Sequence, residues 1–156
     1  MRPGPLAAAS LRIGPDGLAL SEQLVLAGLR SWAQARLKGN DPRSLVRPSL
    51  THVASKSVAS IFIAMMESLE REAARGLQIH CVACRGYSHD EQRVVLACGV
   101  SRASPCISAQ LLAPLVRSPA GTVILARTLN VALGHAGFVL PVRLWDDEQI
   151  AAATIH

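Results

Sequence analysis

The sequence predicts a mostly α-helical fold, a bundle of about five helices with a short two-stranded antiparallel ribbon. Three observations carry that expectation. Apolar residues recur at about 100° per residue over several stretches long enough for three or more helical turns. One short run, 77–82, alternates instead, as half-buried strands do, and 138–144 reads as a second strand. Half of the 156 residues are apolar and only 17% are charged, so the chain can fill a core of its own.

Each element has its local reason. Residues 1–20 hold Pro3, Gly4, Pro5 and the Gly14-Pro15-Asp16-Gly17 turn, and these predict a flexible N-terminal arm. Ser21 reads as a helix cap with Glu22 in the favoured first turn. From Glu22 to Lys38, Val25, Leu26, Leu29, Trp32, Ala33 and Leu37 share one arc, with Gln23, Arg30, Gln34 and Lys38 on the other; Gly39-Asn40 ends the helix. Pro48 limits any helix between Pro42 and Ser57 to a short one on either side of it.

The strongest periodicity follows, with Val58, Ile61, Phe62, Met65 and Leu69 on one face and Gly76 as the stop. Leu77–Val82 is the first expected strand. Ser88 and Glu91 form a capping box for a helix that buries Val94, Val95 and Cys98. A short helix through Ile107, Leu111 and Leu112 is limited by Pro114. Ser118-Pro119 opens the last helix, whose apolar members are Val123, Ile124, Leu129 and Leu133 and whose stop is Gly134. Phe138–Leu144 is the second strand, confined to an edge by Pro141. A single helical domain is expected over 21–145, followed by a C-terminal tail, 146–156.

Charge and targeting signals narrow the functional classes. The net charge of +5 rests on sixteen basic residues of which only Lys38 and Lys56 are lysines. Such a ratio reads as codon bias of a GC-rich, bacterial genome before it reads as nucleic-acid binding. The one cluster, Arg36, Lys38, Arg43 and Arg47, surrounds an expected turn and is a candidate basic patch for a phosphate backbone. With one tyrosine and two tryptophans, base stacking has few platforms. A helix-turn-helix over Leu50–Glu70 would offer Ile61, Phe62, Ile63 and Met65 to a groove that needs polar groups. No run reaches the length needed to span a bilayer and no export signal is recognisable, so a cytoplasmic location is expected.

The chemistry-bearing stretch is HCVACRGYSHDE, His80 to Glu91. Cys81-x-x-Cys84 has zinc-knuckle spacing and needs two further ligands at one point. Cys98 lies about 13 Å and about 180° round the helix from His89 and cannot join it. If the two strands pair, His135 comes beside the cysteines, and Cys81, Cys84, His89 and His135 form a candidate Cys2His2 zinc site. His80, pointing to the opposite strand face, stays outside it. A redox dithiol is disfavoured because no helix begins at the first cysteine. No nucleophile elbow, P-loop, dinucleotide loop or H-E-x-x-H motif occurs.

The leading expectation is therefore a non-enzymatic interaction module, regulatory or accessory, that binds another protein or itself and needs no cofactor. A zinc-binding protein, structural or catalytic, is the alternative, and a nucleic-acid-binding protein using the basic corner is the weaker one.

Overall fold

Six helices, with no strand among the described residues, make up the computed structural model, which describes residues 18–143. In chain order they are α1 (Leu20–Leu37), α2 (Pro42–Val53), α3 (Lys56–Glu72), α4 (His89–Val100), α5 (Pro105–Leu112) and α6 (Ala120–His135). Residues 1–17 of the expected arm and the expected tail, 146–156, lie outside the described residues.

The helices pack as α1 on α2, α2 on α3 and α3 along α6, with α4 held between α1, α5 and α6. From Asp90 to Val100 every residue of α4 except Arg93 is buried. An all-round apolar helix of small residues, VVLACGV, belongs at the centre of a bundle, and Gly99 lets the chain after α6 come close. A Cβ there would meet the Pro141 carbonyl oxygen at 2.5 Å. Gly28 of α1 does the same for the Phe62 ring of α3, at 2.6 Å. The core runs through Leu29, Trp32, Phe62, Met65, Leu69, Leu129 and Leu133.

The caps follow ordinary chemistry. Asp41, Ser55, Ser88 and Ser104 accept from the backbone N–H groups of Arg43, Val58, Glu91 and Ile107 and so start α2, α3, α4 and α5. Helix α1 begins one residue before the expected cap. Ala19 takes the N-cap position, and its N–H donates to the Glu22 carboxylate at 2.9 Å. Ser21 instead donates to the Val139 carbonyl oxygen.

Three expectations change. Pro48 sits inside α2 without ending it; Ser44, whose carbonyl loses its donor, is exposed, so water can supply the missing bond. Ile124 and Leu37, both expected on core-facing arcs, are 65% and 88% exposed. The two-stranded ribbon does not form, and the one bridge among the described residues is isolated, Ala73 with Val116.

The alternation in Leu77–Val82 is nonetheless real, because alternate N–H groups point one way. Gln78 N–H donates to Asp90 Oδ2 at 2.7 Å and His80 N–H to Glu91 Oε2 at 3.1 Å. Two carboxylates of the first turn of α4 take the place of a partner strand. Likewise 138–143 has neither helix nor ladder and is tied by the Ser21–Val139 bond and by a buried, bidentate ion pair between Arg143 and Glu22.

Candidate functional site

Residues 73–88 connect α3 to α4 without helix or strand, and their shape is set by two ion pairs. After α3 the chain is pinned by Ala74 N–H on the Leu115 carbonyl and by Arg117 N–H on that of Glu72. Arg75 then grips Asp90 with two bonds of 2.8 and 2.9 Å. Burial alone would raise the Asp90 carboxyl, but the bonds from Arg75 and Gln78 N–H and the nearby charges of Arg75 and Arg93 outweigh it and hold it below the usual range.

The second pair is deeper. Glu91, fully buried, accepts from Arg30 Nε at 2.8 Å, Arg30 Nη2 at 3.2 Å, His80 N–H at 3.1 Å and Ser88 N–H at 2.8 Å. All four lone-pair positions of the carboxylate are thereby used. Two of the three remaining guanidinium donors reach the Cys84 carbonyl at 2.7 Å and the Gly86 carbonyl at 2.6 Å. One Arg–Glu pair therefore holds both ends of the Cys81–Cys84 loop against α1. The hydrogen bond that Arg30 donates to Glu91 raises the Arg30 pKa and outweighs burial, which lowers it.

Within this frame Cys84 N–H donates to the Cys81 carbonyl at 3.1 Å, which closes a tight turn. Cys84 Sγ lies 3.2 Å from His80 Nδ1, and the same ring nitrogen is 3.9 Å from Glu91 Oε1. Cys81 is exposed and Cys84 half-buried.

The expected zinc ligands are distributed differently. Cys84 is paired with His80, the histidine set aside in the sequence reading. His89 is the first residue of α4, and His135 ends α6, where it lines a groove with Ala54, Ser55 and Thr128. The ribbon that would carry His135 to the cysteines is missing. Among the described residues no three His, Cys, Asp or Glu side chains gather as a metal ion's ligands must. Cys98 is enclosed, its Sγ 3.6 Å from Met65 Sδ, and burial pushes its thiol up to about 12.

The basic corner is interleaved with acids. Arg36 pairs with Glu70 through two 2.9 Å bonds and lies 5.7 Å from the Trp32 ring centroid, Arg43 pairs with Glu67 at 2.7 Å, and Arg47 donates to the Ser60 hydroxyl. Lys38 stands exposed at the end of α1. An approaching phosphate meets Asp41, Glu67 and Glu70 as well as the four cations.

A second surface has a contrasting character. Along the outward side of α6, Ile124, Thr128, Val131 and His135 fall at i, i+4, i+7 and i+11, one stripe of the helix. Beside it runs a groove of about 530 Å³, lined by Thr128, Val131, Ala132 and His135 of α6 and by Ala54, Ser57 and Ile61 across from them. No Lys, Arg, Asp or Glu lines it. Val53, next in the chain to Ala54, is 49% exposed and Ile124 is 65% exposed.

No protein-family model matches the chain, and comparison with curated proteins and with solved structures returned no significant similarity. Among the described residues no helix is long and apolar enough to cross a membrane.

The residue that sequence reasoning missed is Arg30. It was assigned to the solvent face of α1, yet it lies only about 40° round the helix from Leu26. A cation at the rim of an apolar arc was the available signal.

Proposed function

We propose that this protein is an interaction module that docks a second copy of itself through the α6 groove. The observation that carries the reading is a groove lined by no Lys, Arg, Asp or Glu, with Ile124 exposed one helical turn before the lining residue Thr128, on a chain of net charge +5. Interface centres are depleted of charge relative to the remaining surface. Two copies of a basic chain meet with least repulsion where cations are few, and the exposed cations beside the groove are Lys56, between the lining residues Ser55 and Ser57, and Arg127, next to Thr128. One helix supplies both a projection, Ile124, and one wall of the groove, with Thr128, Val131 and His135. A two-fold contact, which needs a self-complementary patch, is the arrangement this suits.

Sedimentation equilibrium on the full chain tests it. The wild type is expected to be dimeric at about 100 µM, and Val131→Glu and Ile124→Glu to be monomeric with unchanged helix content. A wild type that stays monomeric at that concentration, or a dimer that both substitutions leave intact, overturns the reading. So does a chain that dimerises only after removal of residues 1–17, because its own N-terminus would then be the occupant.

A further inference from the structure

The cysteine loop carries a separate activity. The geometry points to a dithiol that reduces small disulfides, with Cys84 as the attacking thiol, His80 as its base and Cys81 as the thiol that completes the exchange. The turn closed by Cys84 N–H on the Cys81 carbonyl puts the two Cα atoms within about 7 Å, and a disulfide spans about 4.4–6.8 Å. A thiol needs a proton acceptor before it attacks. Only one of this pair has it in place, since His80 Nδ1 is 3.2 Å from Cys84 Sγ. With the ring proton on Nε2, Nδ1 accepts the thiol hydrogen. Glu91 Oε1, 3.9 Å from that nitrogen, then faces the imidazolium.

Access and rigidity also fit. Cys81 is exposed and Cys84 half-buried, so a small substrate can reach them, whereas Cys98 is enclosed by the core. Arg30 holds the Cys84 and Gly86 carbonyls and thereby fixes the loop against α1. The guanidinium is itself held by Glu91 through two bonds, so the loop it fixes has a rigid anchor. In this assignment His80, 3.2 Å from the Cys84 sulfur, takes the part that a helix N-terminus plays in a redox pair placed at a helix start.

The steps balance as follows. The Cys84 proton moves to His80 Nδ1 as the Cys84 sulfur attacks one sulfur of a disulfide R–S–S–R. A Cys84–SR bond forms, the R–S–S–R bond breaks, and the leaving thiolate takes the proton from His80. The Cys81 sulfur then attacks the Cys84 sulfur, the Cys81–Cys84 bond forms, and the second RS⁻ leaves with the Cys81 proton. Two electrons pass from the dithiol to the disulfide, which ends as two RSH.

Glutathione disulfide is the probe, with products identified by mass spectrometry of the alkylated full-length chain. The wild type is expected to end with a Cys81–Cys84 disulfide and two glutathiones released. Cys81→Ser is expected to stop at a mixed disulfide on Cys84. His80→Gln should slow the reaction at Cys84 on the order of tenfold or more, while the rate at the exposed Cys106 and the helix content stay unchanged. Mixed disulfides forming at Cys81, Cys84 and Cys106 at equal rates, with no internal bond, overturn the assignment. Thiols that react only after a chelator removes one zinc per chain also overturn it, in favour of a metal centre.

Discussion

Replacing Glu91 with glutamine changes one atom and should still be among the most damaging single substitutions in the chain. The carboxylate accepts from four donors and is fully buried against an Arg30 side chain that is 4% exposed. Glutamine keeps one acceptor oxygen and turns an NH2 group toward two of those donors, whichever way the amide is placed. Either orientation leaves donor facing donor and a buried guanidinium without its counter-charge. Breaking one side of a buried ion pair costs about 3–5 kcal/mol. For a domain of this size about 3 °C of Tm corresponds to each kcal/mol, so Glu91→Gln is expected to lower Tm by about 9–15 °C. Urea unfolding followed by circular dichroism gives the free energy directly, and Arg43→Ala supplies the contrast. That ion pair is 47% and 35% exposed, and its loss should cost less than about 1 kcal/mol. A Glu91→Gln cost within about 1 kcal/mol of wild type would refute the hub described here.

Three other outcomes follow from the same geometry. The folded Asp90 pKa lies below its ordinary value of 3.8, so its stabilisation is complete above that value and is lost as pH falls through the folded pKa. Urea melts between about pH 2 and pH 6 should show a steep acid limb in the wild type and a flatter one in Asp90→Asn; equal slopes would contradict the Arg75–Asp90 contact. Thiol titration at about pH 8 should modify Cys81, Cys84 and Cys106 rapidly and Cys98 only on unfolding, since burial raises its pKa to about 12. Gly99→Ala should push the 138–143 segment off α4, because the added Cβ would sit 2.5 Å from the Pro141 oxygen. Hydrogen exchange would then quicken at 138–143 and hardly change in α3; uniform protection would show that the contact gives way without cost.

Helices were legible where the apolar period was long or the cap explicit. Val58, Phe62, Met65 and Leu69 of α3 are all buried as their spacing requires, and the Ser88–Glu91 capping box forms with both of its bonds. Strands were misread for a physical reason. An alternating segment shows only that alternate backbone N–H groups share a direction, and here Asp90 and Glu91, not another strand, accept them. The same substitution of partner hid the site. His80 was set aside because strand neighbours point apart, but a turn at Cys81–Cys84 returns the Cys84 thiol to the imidazole. Asp90 and Glu91 were read as dipole and cap residues, which they are. That both also hold arginines from distant parts of the chain depends on tertiary packing that no local pattern records.

The measurement that bears most directly on the proposed self-docking is a spin–spin distance across the α6 groove. Thr128→Cys, labelled in a chain whose Cys81, Cys84 and Cys106 are serine, places the probe on the groove wall while Cys98 stays enclosed. Helices packed against each other lie about 8–10 Å apart, so two labels facing across a two-fold should give an intermolecular distance below about 30 Å that Val131→Glu abolishes. The absence of any intermolecular distance in that range, or one that survives Val131→Glu unchanged, would contradict the account.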